Sequence, residues 1–365
     1  MYWPCRKTIM ISRCFWDYYL HVFQKDYAYE LKNRHGVDVI WVDRPTRHPM
    51  IWFKQRKRVI DGITVLRPWA LQNEYEKFNP FDCKVWDLQI SKYFRKEHST
   101  ALWSICCTHP WLAEKRAFSH KIYWPGDHFE PVDEYKSYKD YDVVMPWVGI
   151  DQIPNKYKGR KFLSSTCAGS EFMNYHETGL LNRRLECSSK YKSKVCYIGG
   201  LSLDRFDFTL FERIVSSMPE TAFLLGVKLD GHSNTEVAKD SLLRKYSNVK
   251  IFEDLNYLEL AELVFKSDVG IIPYKISGQN LRICPNKFFE YSALGKRTVT
   301  TAIPAMARYS PPAIIAQNHE QFVNLLKKQF TQPIGKSEAT ELVEIAKSAS
   351  AKQSLLRLAD TLKNS

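Results

Sequence analysis

The 365-residue chain carries 44% hydrophobic and 25% charged residues, with 15 Gly and 17 Pro. That balance is ordinary for a soluble globular protein of about two domains and excludes a fibrous, low-complexity or wholly disordered chain. The formal charge of +13 calls for an anionic partner: nucleic acid, a phosphate-bearing substrate or an anionic membrane face.

In chain order, Lys7–Ser12 (KTIMIS) is a short apolar strand. Asp17–Arg34 is a helical stretch, with Gly36 just beyond it as a stop. Val37–Asp43 is the next strand. Further strands are expected at Ile63–Arg67, Ala101–Cys107, Lys121–Trp124 and Asp142–Met145, with helical material between most of them. Such alternation predicts a parallel sheet covered by helices on both faces.

The second half repeats this grammar. Strands are expected at Lys194–Ile198, Thr221–Leu225, Val249–Phe252, Asp268–Tyr274, Thr298–Thr301 and Ala313–Ala316. Helices are expected at Phe208–Ser217, Thr235–Tyr246, Tyr257–Lys266, Pro285–Leu294 and His319–Phe330, and the tail from Ser337 reads as helix. All ten Trp lie between Trp3 and Trp147, so the halves differ in composition. The polar, basic Ser164–Lys194 reads as their connector. The expected organisation is α/β: two Rossmann-like doubly wound domains facing a central cleft. Residues 1–170 form the first, 171–335 the second, and a terminal helix near 345–365 packs back on the first. Ligands of such folds sit at the strand C-termini.

No apolar run approaches the roughly 20 residues of a membrane-spanning helix. The N-terminus lacks an apolar segment followed by a small-residue cleavage site, so no signal peptide is read. Nine Cys are scattered without a CxxC pair. Reduced thiols in a cytoplasmic protein are expected rather than a disulfide framework or a zinc site.

The sharpest segment is Cys284–Lys296, CPNKFFEYSALGK. Pro285 suits the first turn of a helix and Gly295 its stop. A helix N-terminus facing the cleft presents N–H groups and partial positive charge to a phosphate. Lys287 adds a full charge there. Glu290, three residues on and on the same face, can accept hydrogen bonds from ribose hydroxyls. The alternative is a surface Lys–Glu pair on an ordinary helix.

The segment DVGIIPYKISGQNLRICPNKFFEYSALGKRTVTTAIP resembles the donor-binding segment of two-domain (GT-B) glycosyltransferases, with a family-4-like donor domain. Pro273, Tyr274, Pro285, Lys287, Glu290, Tyr291, Ala293 and Gly295 carry the pattern, with Arg297 where Pro is common. The likeness reaches back over KVCYIGGLSLDRFDFTLFERIVSSMPETAFLLG and covers roughly Lys194–Phe330. The first half matches in architecture only. Retaining members often carry a second glutamate eight residues before the ribose glutamate; here that position is Arg282. This tilts the resemblance toward the inverting glucuronosyltransferase type of xanthan assembly.

The resemblance implies transfer of a sugar from a nucleotide-diphosphate donor to a hydroxyl of a glycan or glycolipid acceptor, lipid-linked, in surface polysaccharide assembly. The nucleotide-sugar is a substrate; no cofactor and no metal is expected. Donor-binding residues would be Gly199, Gly200, Tyr274, Asn280, Asn286, Lys287 and Glu290. In Ile122–Pro131, Asp127 is the expected catalytic base, with His128 as its alternative; a turn aspartate is the competing reading. Asp140-Tyr-Asp142 imitates a metal motif, but it directly precedes a strand and is read as coincidence.

His48–Arg58, HPMIWFKQRKR, mixes aromatic and basic residues without an acid. It can lie on an anionic membrane surface with its cations at the headgroups, or be a solvated loop. The expected location is therefore cytoplasmic, peripheral on the inner face of the membrane. Two rivals stay open: a sugar-nucleotide 2-epimerase on the same fold, and a basic nucleic-acid-binding protein. No helix-turn-helix, zinc-finger, RNP or KH signature supports the second, and no nucleic-acid partner is expected.

Overall fold

The computed structural model describes residues 3–17, 23–93, 99–115, 118–126, 129–175, 190–228, 237, 240–242 and 245–363. The chain divides into two units: residues 1–165 with 351–365, and residues 166–350.

The first unit is built on strands β1 Lys7–Ser12, β2 Asp38–Val42, β3 Lys57–Ile60, β4 Ile63–Leu66, β5 Thr100–Ile105, β6 His120–Trp124, β7 Val143–Val144 and β8 Arg160–Lys161. Their order across the sheet is β3-β4-β2-β1-β5-β6-β7-β8. All pairs are parallel except β3 with β4. All six residues of β5 are buried, the run of apolar residues expected of a parallel strand covered on both faces. Three helices of this unit are α1 Gln24–His35, α2 Pro49–Gln55 and α3 Pro80–Ile90. Gly36 closes α1 in the left-handed conformation at φ 64°, its N–H bonded to the Leu31 carbonyl, as its place after the helix predicts. The Asn79 side chain caps α3 by accepting from the Phe81 and Asp82 amides.

Indoles build much of this core. Trp3 stacks on Trp103 at 5.9 Å, and Tyr27 meets Trp124 edge-on at 4.8 Å. At the end of β2 the fully buried Asp43 accepts from the Trp16 amide at 2.6 Å, the Trp41 indole at 3.0 Å and the Arg67 guanidinium at 3.0 Å. These bonds satisfy a charge that burial would otherwise make costly.

The stretch 48–58 forms α2 and then enters β3, which turns through Asp61-Gly62 into β4 with Ile60 opposite Ile63. Both turn residues have positive φ, 49° and 76°, the two-residue geometry that matches strand twist. A plain solvated loop is therefore replaced by a helix and an edge hairpin. β5 stops at Ile105, where Cys106 takes φ 61°, so the strand is shorter than its apolar run.

The second unit has strands β9 Ser193–Gly200, β10 Thr221–Lys228, β11 Val249–Glu253, β12 Val269–Ile272, β13 Arg297–Thr301 and β14 Ala313–Ala316. They form one sheet in the order β11-β10-β9-β12-β13-β14, every pair parallel. Its helices include α4 Phe208–Ser216, α5 Tyr257–Phe265, α6 Asn286–Ala293, α7 His319–Thr331 and α8 Lys336–Ala349. Side-chain caps set three of their starts. Asp207 caps α4, Asn256 forms a reciprocal capping box with Glu259 on α5, and Asn318 caps α7. The expected helix at Thr235–Tyr246 lies mostly outside the described residues. The last helix, α9 Ala351–Lys363, belongs to the first unit and packs on α1. The tail thus forms two helices, broken at Ser350.

Both sheets are doubly wound. In the second unit the chain leaves β9 toward β10 and β11, then crosses to β12 and continues to β13 and β14. The order reverses between β9 and β12, and a crevice opens at such a switch point beyond the strand C-termini.

Candidate donor site in the second unit

The site is assembled where β9 and β12 end. β9 finishes on Gly199-Gly200, and β12 is followed by Pro273-Tyr274. A short 3-10 turn, Gly278–Leu281, leads to α6, whose N-terminus lies on this edge of the sheet. Pro285 sits at the cap position and offers no side-chain acceptor to the first-turn amides. This leaves the helix start suited to an anion.

Lys287 is the centre of the arrangement. Its ammonium donates to the Tyr274 hydroxyl at 2.6 Å and lies 5.1 Å from the Tyr274 ring centroid and 5.4 Å from that of Tyr197. Two aromatic faces and one hydroxyl thus hold the charge in place. Gly199 makes room for it: at φ 124°, a Cβ there would fall 2.7 Å from Lys287 Cε and Nζ. The positive φ favours glycine here, and any larger residue would also push the flexible end of Lys287 aside. The Tyr197 hydroxyl donates to the Gly200 carbonyl at 2.6 Å and so fixes the glycine pair. Burial and the neighbouring Tyr274 push the Tyr197 phenol well above its ordinary range, so it stays a neutral donor.

Glu290 is one turn deeper on α6. It is 5% exposed, and the Tyr257 hydroxyl donates to its Oε1 at 3.4 Å. Tyr291 ties α6 to the sheet: its hydroxyl accepts from the Ile198 amide at 3.2 Å and donates to the Ile271 carbonyl at 3.3 Å. Its ring occupies the space a side chain at Gly270 would need. Thr301 at the end of β13 donates to the Tyr274 carbonyl at 2.8 Å. The helix bearing Lys287 and Glu290 is therefore clamped to β9 and β12, and β13 holds the Tyr274 backbone.

Gly199, Gly200, Tyr274 and Lys287 are brought together, with Glu290 on the same helix. Asn286 is the half-buried first residue of α6. Asn280 is fully buried, and its amide donates to the carbonyls of Lys275 at 2.9 Å and Arg205 at 3.2 Å. In this geometry it braces the loop before α6. Asp127 and His128 lie outside the described residues. Gly126, just before them, abuts Cys106: a Cβ there would come within 3.1 Å of the Cys106 sulfur. Gly126 thus sits beside the end of β5, and β1 and β5 flank the first unit's own switch point. Asp142 accepts the Lys121 amide at 2.7 Å, a structural role, and the partly exposed Asp140 lies 3.7 Å from its neighbour Lys139.

Sequence reasoning passed over Tyr197 and Tyr257. The signal for Tyr197 was its place two residues before Gly199 on a strand, where its side chain shares that glycine's face. Tyr257 comes from a helix of another crossover, and no local pattern connects it to Glu290.

Two doubly wound, mostly parallel sheets in two units make the GT-B glycosyltransferase fold. The E. coli trehalose-6-phosphate protein bound with UDP-2-fluoro glucose superposes with a TM-score of 0.71 at 10% identity, over 98% of this chain and 99% of that one. WaaG, a glycosyltransferase involved in lipopolysaccharide biosynthesis, gives 0.62 at 12% identity, over 98% and 100%. A trehalose-6-phosphate synthase studied for glycosyl transfer with retention gives 0.67 at 11%, over 98% and 99%. At these identities the likeness is one of fold. In sequence, the chain is 31% identical over 118 residues to the putative teichuronic acid biosynthesis glycosyltransferase TuaH of Bacillus subtilis. That match spans 32% of this chain and 29% of TuaH. No family model matches the sequence. Among the described residues, no helix is long and apolar enough to cross a membrane.

Proposed function

We propose that this chain is a glycosyltransferase that takes a sugar from a nucleotide-diphosphate donor and passes it to a hydroxyl of a glycan acceptor. One observation carries the reading: at the β9/β12 switch point, Lys287 is caged by Tyr274 and Tyr197 against Gly199, at the start of the helix that bears Glu290. A diphosphate accepts charge-assisted hydrogen bonds from Lys287 and from the α6 amides. The same groups stabilise charge that develops on the leaving diphosphate as the glycosidic bond breaks. Glu290 accepts from the ribose hydroxyls. Protein charge does this work without a metal. The bound UDP-2-fluoro glucose of one fold neighbour supports a donor of this class.

The acceptor is read as a lipid-linked glycan of surface polysaccharide assembly. Support comes from the roles named for TuaH and WaaG and from α2. None of the α2 residues is buried, and Met50 and Phe53 are 69% and 66% exposed. Arg56 lies over the rings of Trp52 and Phe53 at 5.9 and 5.5 Å, Lys54 is in the last turn of the helix, and Arg47 and Lys57 flank it. Exposed apolar side chains ringed by cations fit an anionic bilayer surface. Vesicle flotation tests it: wild type should float with anionic vesicles and a Met50→Ser/Phe53→Ser variant should not. Wild type that stays below at low salt contradicts it.

Transfer is read as inverting, with Asp127 as the base, because Arg282 stands where retaining relatives carry glutamate. One fold neighbour transfers with retention, so the stereochemical outcome is a direct test of this part. The activity itself is tested by incubating a labelled nucleotide-sugar with and without a lipid-linked acceptor. Acceptor-dependent transfer of label supports a transferase. Epimerised donor formed without acceptor replaces that reading with a 2-epimerase.

A further inference from the structure

The first unit carries a second cavity that the donor site does not use. It measures about 590 Å³ and is lined by Phe78, Asn79, Pro80, Lys84, Asp87 and Trp111, together with Cys83. That volume falls within the range of small-molecule sites. It lies between the start of α3 and the short helix Pro110–Lys115. Both helices follow strand ends, α3 after β4 and the short helix after β5, so both begin on the ligand-bearing edge of the sheet.

Its aromatic wall is rigid. Trp111 stacks on Phe78 with centroids 5.8 Å apart and planes at 30°. Behind it, the fully buried Trp86 meets Trp111 edge-on at 6.2 Å, and His109 meets it at 5.3 Å. His109 is itself pinned: its Nδ1 is 3.0 Å from the Ser104 hydroxyl, and its backbone amide donates to the Tyr141 hydroxyl at 3.0 Å. Much of the remaining lining is polar. Lys84 and Asp87 are one turn apart on α3, and Asn79 starts that helix.

A pyranose ring has two chemically different surfaces. Its axial C–H groups carry partial positive charge and rest on the negative face of an aromatic ring. Its rim of hydroxyls needs donors and acceptors. A pre-ordered indole in the same groove as an ammonium and a carboxylate offers both, with little ordering cost on binding. A hydrophobic peptide would leave Lys84 and Asp87 without use. A phosphate would face the carboxylate of Asp87. We propose that this groove holds a pyranose unit of a glycan chain against the Phe78–Trp111 aromatic pair. The inference rests on the glycan-acceptor reading above and adds to it a holding site in the first unit.

The test is binding of cellotetraose, maltotetraose and N-acetylchitotetraose to the full chain without donor, followed by saturation-transfer NMR and calorimetry. At least one should bind wild type, and Trp111→Ala should weaken it by about tenfold or more, with Trp111→Phe in between. Lys84→Ala/Asp87→Ala changes only the polar wall and should also weaken binding, which covers the case that Trp111→Ala does not fold. Nucleotide-sugar affinity is measured on the same samples and should not change. Glycan binding that Trp111 controls, in a protein that binds no nucleotide-sugar, would uphold the groove and overturn the donor reading. No binding of any of the three, or equal binding by wild type and folded variants, overturns the groove and leaves the donor reading standing.

Discussion

The Lys287 ammonium and the Tyr274 hydroxyl lie 2.6 Å apart, although 12 residues of chain separate them (positions 275 to 286). Tyr274 ends the β12 connection, and Lys287 is the second residue of α6. The loop between them is closed by the Asn280 amide, which bonds the Lys275 and Arg205 carbonyls. The strand end and the helix start are thereby locked at one point. A bound phosphate meets a cation whose position is already set, so little side-chain entropy is lost.

Gly199→Ala should damage the donor site more than its size suggests. The added Cβ would overlap Lys287 Cε and Nζ at 2.7 Å, at a backbone φ of 124°. Strain of this kind costs about 1–3 kcal/mol, and Lys287 must leave its cage. The melting temperature should fall and nucleotide-sugar affinity should drop with it. Unchanged affinity in calorimetry would show that Lys287 does not need this position.

Glu290→Gln keeps the shape of a side chain that is 5% exposed and removes its charge. A lost charge-assisted bond to ribose costs about 1.5–3 kcal/mol, roughly a ten- to hundredfold loss of donor affinity. Glu290→Ala should show the same loss with a lower melting temperature, because Tyr257 then loses its acceptor. Tyr257→Phe should weaken donor binding by less than either. Wild-type affinity in folded Glu290→Gln would remove Glu290 from the donor site.

The first unit should lose stability in mild acid. Burial pushes His109 down to about 3 from an ordinary value near 6.5. Above the ordinary value both folded and unfolded chains hold it neutral, and its effect on stability is constant. Below it the unfolded chain binds a proton that the folded chain refuses, so stability falls as pH drops from about 6.5 toward 3. For one proton the slope is at most about 1.4 kcal/mol per pH unit. Melting curves from neutral to mildly acidic pH should show this slope, and it should flatten in His109→Gln even though that variant is less stable throughout. An equal slope in both proteins would assign the acid sensitivity elsewhere.

Asp127→Asn preserves size and removes the proposed base. The proposed donor contacts are in the second unit, so nucleotide-sugar binding should survive while turnover falls by about 10²–10⁴. The glycosidic product should carry the anomeric configuration opposite to the donor's, read from the NMR coupling of its anomeric proton. Near-normal turnover would move the base to another residue, with His128 next. Retained configuration would reject inversion and the Asp127 role together.

Much of this was legible in the sequence because it rests on local chemistry. Parallel strands buried on both faces read as unbroken apolar runs, so β1, β5, β9 and β12 were visible without their neighbours. Gly36, Gly295 and the Pro285 start announced helix ends through backbone conformation. The Lys287–Glu290 spacing put both on one helix face. The edge hairpin β3–β4 was missed although Asp61-Gly62 is a strong hairpin signal, because Lys57–Ile60 carries charges at the edge and does not look like a buried strand. Strand β8, two residues long, has no pattern to find. Tyr257 beside Glu290 and Trp111 beside Phe78 are products of packing between separate crossovers, and local periodicity holds no record of such pairs.

The most direct measurement is calorimetric titration of a panel of UDP-, GDP-, dTDP- and CMP-sugars into wild type and Lys287→Ala. At least one nucleotide-diphosphate sugar should bind wild type. Removing the ammonium should cost about 1.5–3 kcal/mol, a ten- to hundredfold loss, while Tyr274→Phe, which keeps the ammonium, should lose less. Failure of every diphosphate sugar to bind folded wild type, or equal affinity in wild type and Lys287→Ala, would contradict a donor site at the β9/β12 switch point.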